Sequence, residues 1–106
     1  MNSVDTLRGR FLIVDDEEHI REILRATLES LAISIHDAGS AEEAFTLIRE
    51  ENVDVVVCDI QMPGMNGLDF LSKVKSEQPS IKFLMITAHG LWIQPYKRFD
   101  SAPRIF

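Results

Sequence analysis

The sequence has 106 residues, enough for one domain with a single hydrophobic core. Apolar side chains make up 45% of it and charged ones 26%, a balance typical of a globular protein that excludes a disordered chain. The net charge of −6 disfavours nucleic acid as a partner, and no apolar run approaches the roughly 20 residues of a membrane-spanning helix.

The first ten residues, MNSVDTLRGR, lack the apolar stretch of a secretory signal. The single cysteine, Cys58, cannot form an internal disulfide, which agrees with a reducing compartment. We interpret Cys58 as a small buried hydrophobic residue and not as a nucleophile. Together these observations predict a cytoplasmic protein.

Strand and helix patterns then alternate along the chain. FLIVDD, residues 11–16, is a short apolar run that ends in two acids and predicts a strand. An amphipathic helix follows, because apolar residues recur at helical spacing. These residues are Ile20, Ile23, Leu24, Leu28 and Leu31. AISIHDA, residues 32–38, predicts a second strand, and Ser40 with Glu43 forms a capping box that opens a second helix.

The third predicted strand is DVVVCD, residues 54–59. Its apolar run is too continuous for a strand with one wet face, so it predicts a parallel strand covered by helices on both sides. Asn66 and Gly67 open a third helix, which Pro79 ends, and IKFLMIT, residues 81–87, predicts a fourth strand. The order βαβαβαβ predicts an α/β fold with an open parallel sheet.

The composition changes near Gly90. Residues 1–90 carry eight basic and sixteen acidic side chains, whereas residues 91–106 carry three basic ones and one acidic one. The later segment also holds the only Trp and the only Tyr. We therefore divide the chain into a domain core, residues 1–90, and an atypical tail, residues 91–106.

Polar residues stand at the carboxyl ends of three predicted strands: Asp15 and Asp16, then Asp59, then Thr87. Ligands of open parallel sheets bind at this edge. Three carboxylates raise one another's pKa unless a cation lies among them, and such oxygen ligands suit Mg²⁺, which commonly shares its coordination sphere with phosphate. Thr87 can supply a hydroxyl, and the small Ala88 leaves its backbone N–H open to an anion.

Three segments, VDDEEHIREIL, DIQMPGMNGLDFL and MITAHG, together resemble the receiver domain of two-component response regulators over about residues 9–90. The TAHG ending is similar to the nitrogen-regulator type. The resemblance implies a flavodoxin-like open parallel sheet of (βα)n units. It also implies a signalling module, not an enzyme, that accepts a phosphoryl group from a sensor histidine kinase with the help of Mg²⁺.

By this resemblance Asp59 is the phosphoacceptor and Thr87 is the switch hydroxyl. The backbone N–H groups of Ile60 and Ala88 contact the phosphoryl oxygens. The implied Mg²⁺ ligands are Asp16 directly, Asp15 mainly through water, Asp59, and the backbone carbonyl of Gln61.

Plainer interpretations exist for each residue taken singly. An Asp-Asp pair after a strand is more often a helix N-cap and a first-turn acid than a metal site. We interpret the loop residues between Asp59 and the third helix as residues that shape the loop and take no part in the chemistry, because Pro fixes φ and Gly permits positive φ. These loop residues are Met62, Pro63, Gly64 and Gly67.

The resemblance fails after residue 90. Receiver domains continue through a fourth helix, a fifth strand that ends in Lys-Pro and a fifth helix, whereas this chain has LWIQPYKRFDSAPRIF. Lys97 comes too early and is followed by Arg98, so the family's lysine is missing from its place and we expect impaired switching. We interpret the chain as a receiver fold that lacks the regular fifth strand and fifth helix, through truncation or a frame shift.

Without a fifth strand, IKFLMIT is left as an open edge with only Lys82 to discourage pairing. We therefore expect a homodimer through the fourth-strand edge and the tail, with a marginally stable monomer that carries a disordered tail as the alternative.

Two other functions remain open beside the phosphoacceptor. One is a phosphorylation-inert receiver remnant that acts only in association. The other is an aspartyl-phosphate hydrolase of the haloacid-dehalogenase type, which needs a second acid two residues after the nucleophile. This chain has Gln61 there, which disfavours the hydrolase.

Overall fold

The computed structural model describes residues 9–62, 64, 66–87 and 90–93, with residues 87 and 90–93 described by their backbone. In these residues three helices separate the first four strands, a fifth strand follows the fourth directly, and one 3₁₀ turn lies at Glu29–Leu31. The strands are β1 (Gly9–Val14), β2 (Ala32–Ala38), β3 (Val55–Asp59), β4 (Lys82–Thr87) and β5 (Gly90–Ile93). The helices are α1 (Glu18–Leu28), α2 (Ala41–Glu50) and α3 (Gly67–Glu77). No helix in this part of the chain has the length and apolar character needed to cross a membrane.

The sheet has the order β2-β1-β3-β4-β5. Strands β1 to β4 pair in parallel, which confirms the predicted parallel sheet. This order is that of the flavodoxin-like fold, in which the chain changes direction across the sheet between β1 and β3. The carboxyl ends of β1 and β3 therefore border the crevice where such folds bind ligands.

Strand β5 corrects one prediction. It pairs antiparallel with β4, and Thr87 faces Gly90 while Leu84 faces Ile93. Only two residues connect the strands, the shortest common hairpin connection, and the apolar Leu91, Trp92 and Ile93 suit a strand. The predicted open edge of the fourth strand is therefore wrong, and so is a dimer contact through the β4 edge. In the described residues β5 is not the regular parallel fifth strand, and no helix follows β4.

The core lies mainly on the side of the sheet that α2 and α3 cover. Phe70 of α3 is fully buried and stacks edge-to-face on Phe83 of β4, with ring centroids 5.9 Å apart. Strands β1 and β3 are buried on both faces, since Leu12, Ile13 and Val56 have no exposed surface. Val57 is buried as well, so the interpretation of the continuous apolar run of β3 is confirmed.

Helix α1 is the least covered helix, because none of its residues is fully buried. Ile20, Leu24 and Leu28, spaced four apart, are half-buried. Ile23 was predicted on the same buried face, but 57% of it is exposed. Helical spacing places Ile23 at the edge of the stripe formed by Ile20, Leu24 and Leu28, and the contact with the sheet does not extend to that edge.

Candidate functional site

Asp15 follows β1 and is the only charged residue among the described ones that is buried, with 4% of its surface exposed. Its backbone N–H donates to the Ala38 carbonyl oxygen at 3.1 Å, which continues the pairing of β1 with β2 by one residue. Its Oδ1 accepts a hydrogen bond from the Glu17 N–H at 2.9 Å. The carboxylate is therefore held at the carboxyl edge of the sheet and turned toward the start of α1.

Three consecutive acids gather at this point. The carboxylate oxygens of Asp15, Asp16 and Glu17 lie within 4.8 Å of one another, and the last two residues are exposed. The sequence reasoning missed Glu17, although it is the third acid of the run DDEE. Glu17 is also the N-cap of α1, without a side-chain capping bond, so the alternative interpretation of the Asp-Asp pair as an N-cap and a first-turn acid is not what the structure shows.

Asp59 ends β3, the strand next to β1. Val14 and Cys58 are register partners, so Asp15 and Asp59 each stand one residue beyond a paired position on adjacent parallel strands. Neighbouring strands run about 4.8 Å apart. The structure thus brings the predicted acids of β1 and β3 to the same edge of the sheet.

The pKa of Asp15 is raised above its ordinary value. Burial is the largest cause, and the negative charges of Asp59, Asp16 and Glu17 add to it, while the hydrogen bond from the Glu17 N–H acts in the opposite direction. Ionised Asp15 is therefore costly in the absence of a cation. Hard oxygen donors in this number fit Mg²⁺, which binds carboxylates and keeps several water ligands.

The backbone after Asp59 is engaged in two ways. The Gln61 N–H donates to Asp59 Oδ1 at 3.1 Å, which fixes the side-chain direction of the half-buried acid. The Ile60 N–H donates to the Ile86 carbonyl oxygen at 3.1 Å, as part of the pairing of β3 with β4. The N–H that the resemblance assigns to a phosphoryl oxygen thus has a backbone partner in this structure.

Gly67, the first residue of α3, packs directly against the backbone of Asp59. A Cβ atom on Gly67 would collide with the Asp59 carbonyl oxygen and would lie 2.8 Å from the Ile60 Cα and the Met85 Cε. The Gly67 N–H donates to the Ile60 carbonyl oxygen, and Asn66 caps the helix by accepting from the Asp69 N–H at 2.9 Å. The absence of a side chain lets α3 begin against the end of β3.

Other loop residues agree in part with their predicted role. Gly64 has φ = +90°, a conformation that glycine adopts without strain. Met62 is buried and joins the core. Pro63 lies outside the described residues.

Thr87 is the last residue of β4, one position beyond Ile86, which is the register partner of Asp59. Its backbone therefore reaches the same edge of the sheet as the acids. The proposed contact of its hydroxyl stays a prediction. Ala88 lies outside the described residues, as do Lys97 and the rest of the tail from residue 94 onward.

Arg21 is a second residue that the sequence reasoning missed. From α1 it reaches the Asp15 carbonyl oxygen with Nη1, at 2.6 Å. Nothing in the sequence pattern marks it, because an arginine between acids on an amphipathic helix is usually part of a solvated face.

Cys58 is fully buried, as predicted for a small hydrophobic residue. Burial, and then the charges of Asp59 and Asp15, raise the pKa of its thiol to about 12. At pH 8 roughly one thiol in ten thousand is ionised at such a pKa, and the thiolate is the reactive form. We expect no labelling of the native protein by iodoacetamide at pH 8 and complete labelling in urea, as read by intact mass. Rapid labelling of the native protein would contradict this burial.

Comparison with known proteins agrees with this geometry. A model of the response regulator receiver domain matches residues 11–95. The transcriptional regulatory protein SrrA of Staphylococcus aureus is 33% identical over 95 residues, which are 90% of this chain and 39% of SrrA. The chain therefore spans about two fifths of the length of the curated relatives it matches.

Solved structures resemble this fold over most of the chain. The crystal structure of the response regulator TrrA from Thermotoga maritima, in complex with Mg²⁺-BeF, has a TM-score of 0.71 and 34% identity and covers 89% of this chain and 76% of that one. A response regulator receiver domain protein from Clostridium thermocellum has a TM-score of 0.71 and 29% identity, and covers 77% of this chain and 67% of that one.

Proposed function

The chain belongs to the response regulator receiver domain family, and we propose that it accepts a phosphoryl group on Asp59 from a sensor histidine kinase in the presence of Mg²⁺. The observation that carries this proposal is the buried Asp15, whose pKa is raised partly by the charge of Asp59 at the end of the neighbouring strand. A cation and a phosphoryl group are the ligands that such an edge of acids suits.

The residues that would hold Mg²⁺ are those that the resemblance names. Asp16, exposed at the rim, would bind it directly, and the buried Asp15 would act mainly through water. The described cluster adds Glu17 to the candidates. Asp59 and the backbone carbonyl of Gln61 complete the proposed set of Mg²⁺ ligands. The bound ion would offset negative charge as the phosphoryl group arrives.

In the proposed reaction, a carboxylate oxygen of Asp59 attacks the phosphorus atom of the kinase's phosphohistidine. A new O–P bond forms, the P–N bond breaks, and the imidazole nitrogen keeps the electron pair and takes up a proton from solvent. The Gln61 N–H orients the Asp59 carboxylate for this attack. The Thr87 hydroxyl and the Ala88 N–H would contact the transferred oxygens. The Ile60 N–H would contact a transferred oxygen only if it gave up its hydrogen bond to the Ile86 carbonyl oxygen.

We propose that switching after phosphorylation is weak. The family's lysine, which pairs with the phosphoryl group, precedes a proline at the end of the fifth strand. Here Lys97 comes earlier in the sequence and is followed by Arg98, so that lysine has no counterpart at its usual place. In addition, β4 is followed by the antiparallel strand β5 where the family has a helix. The family uses the lysine and the helix to transmit the effect of phosphorylation to a distant face, and both differ in this chain.

Self-association remains a proposal, with a different contact. Strands β2 and β5 form the two edges of the sheet in the described residues. A second copy could extend the sheet at β5 by antiparallel pairing about a two-fold axis. Sedimentation velocity over a range of concentrations would test this, since a single monomer boundary at high concentration would contradict it.

Intact mass spectrometry tests the proposed phosphotransfer most directly. After incubation with acetyl phosphate and Mg²⁺, the chain should gain the mass of one phosphoryl group, and EDTA should prevent the gain. A chain that gains no mass under either condition would be a phosphorylation-inert module.

Thermal stability tests the metal site separately. We expect Mg²⁺ at ten times its Kd to stabilise the fold by about 1.4 kcal/mol, a rise of several degrees in melting temperature. Asp16→Ala should remove this dependence, and in EDTA it should melt no lower than the wild type because one repelling charge is gone. Glu50→Ala, an exposed acid at the end of α2, is the matched control and should keep the full response. A melting temperature of the wild type that does not change with millimolar Mg²⁺ would contradict the proposed metal site.

A further inference from the structure

The guanidinium of Arg21 links the end of β2 to the peptide group between the two acids. Its Nε donates to Asp37 Oδ2 at 2.9 Å, and its Nη1 donates to the Asp15 carbonyl oxygen at 2.6 Å. We infer that Arg21, held by Asp37, is a positioning residue that sets the direction of Asp15 and Asp16 for Mg²⁺. The inference rests on the proposed function, because it concerns the same metal site.

The physical reason lies in the peptide bond. The Asp15 carbonyl oxygen belongs to the peptide group that joins Asp15 to Asp16, and this group is planar. A hydrogen bond that fixes its oxygen therefore fixes the orientation of the whole plane, and this limits ψ of Asp15 and φ of Asp16, the torsions on either side of it. Together with the side-chain torsions, these two angles determine where the carboxylates point. Arg21 acts on the acids through their backbone and leaves their oxygens available.

Further contacts make this arrangement specific. Only 18% of the Arg21 side chain is exposed, so water competes little with its hydrogen bonds. Gly39, just after β2, leaves room for the guanidinium, since a Cβ there would lie 3.1 Å from Arg21 Nη1. The Asp15 N–H is fixed by the Ala38 carbonyl oxygen on the same strand end. Arg21 thus completes a frame in which the peptide groups before and after Asp15 are both held by hydrogen bonds.

Mg²⁺ makes such a frame useful. The ion demands near-ideal octahedral geometry and gains little from ligands that must first be ordered. Groups that orient metal ligands without touching the metal typically change metal affinity 10- to 100-fold when they are removed. The loop that carries the acids stands at the start of α1, the least covered helix, so its order depends on such bonds.

Arg25 provides a matched control within the same helix. Its Nη2 donates to Asp37 Oδ1 at 3.0 Å, so it shares the same carboxylate partner. Its Nη1 donates to the Ile35 carbonyl oxygen at 3.2 Å, in the middle of β2, and not to the acidic pair. Removal of Arg25 therefore takes away one charge and one bond to Asp37, but leaves the Asp15 carbonyl held.

The experiment compares Mg²⁺ binding to Arg21→Gln, Arg25→Gln and the wild type by isothermal titration calorimetry, with melting temperatures in EDTA measured in parallel. We expect the Kd for Mg²⁺ to rise about tenfold in Arg21→Gln and less than twofold in Arg25→Gln. Both variants should melt a few degrees lower than the wild type. A role in stability alone would instead lower the melting temperatures and leave both Kd values unchanged.

Asp37→Asn is a second variant, in case Arg21→Gln does not fold. It frees the guanidinium without removing it, and it should also raise the Kd several-fold. An unchanged Kd in Arg21→Gln, or in Asp37→Asn, would overturn the inference, and so would an equal rise in Arg21→Gln and Arg25→Gln. A wild type that binds no Mg²⁺ would instead refute the proposed metal site, so the two failures are distinguishable.

Discussion

The substitution Asp59→Asn is expected to abolish phosphoryl uptake from acetyl phosphate completely. A carboxamide is neither anionic nor nucleophilic enough to attack phosphorus, whereas the Asp59 carboxylate is anionic and is held in one direction by the hydrogen bond that it accepts from the Gln61 N–H at 3.1 Å. Removal of the charge should also lower the pKa of Asp15, because Asp59 is one of the charges that raise it. The variant should therefore fold at least as stably as the wild type in EDTA.

Intact mass after incubation with acetyl phosphate and Mg²⁺ measures the loss. Asp69→Asn, an exposed acid in the first turn of α3, makes the same change of charge and should keep full phosphoryl uptake. If Asp59→Asn still gained the mass, the acceptor would be another residue. In the wild type, size-exclusion volumes with and without the phosphodonor should differ little. A clear shift would show that switching survives without the family's lysine.

Gly67→Ala is expected to destabilise the fold by about 2 kcal/mol, the usual cost of forcing an extra atom into a packed site. Helix propensity alone predicts the opposite sign, because Ala in place of Gly stabilises a helix by up to about 1 kcal/mol. The structure decides between them, since the added Cβ would collide with the Asp59 carbonyl oxygen. The collision moves either α3 or the end of β3, so slower phosphorylation should accompany the loss of stability.

Urea unfolding at equilibrium measures this change through its midpoint. Ser72→Ala, an exposed position in the same helix, is the control and should shift the free energy of unfolding by less than about 0.5 kcal/mol. A midpoint for Gly67→Ala equal to or above that of the wild type would show that α3 begins further from Asp59 than the structure has it.

Sequence reasoning succeeded where one local pattern decides the outcome. The continuous apolar run of β3 implies burial on both faces, and its neighbouring residues Val56 and Val57 are both buried. The placement of Asp15 and Asp59 at the same edge of the sheet followed from parallel strands alone, since the carboxyl ends of such strands share an edge. The α1 face was predicted less well, because helical spacing permits Ile23 on the stripe but does not show how wide the contact with the sheet is.

The remaining features depend on distances that no local pattern contains. The bond from Arg21 to Asp37 spans 16 residues and depends on how α1 lies across β2. The collision that forbids a side chain at Gly67 depends on how closely α3 approaches β3. Strand β5 was missed for another reason. Its four residues carry a strand pattern, but they lie where the composition changes and the family resemblance ends. The segment was therefore interpreted as a tail that lacks the family's elements, and its pairing with β4 was not considered.

The poor burial of α1 has a consequence for how the molecule opens. Partial unfolding proceeds through the unit whose release exposes the least apolar surface, and α1, with no fully buried residue, is that unit among the three helices. Asp16 and Glu17 stand just before it, so a cation held there would be linked to the most easily released of the described helices. With Mg²⁺ bound there as proposed, metal occupancy and the docking of α1 would form one linked equilibrium, in which the ion stabilises a helix that the core holds only loosely.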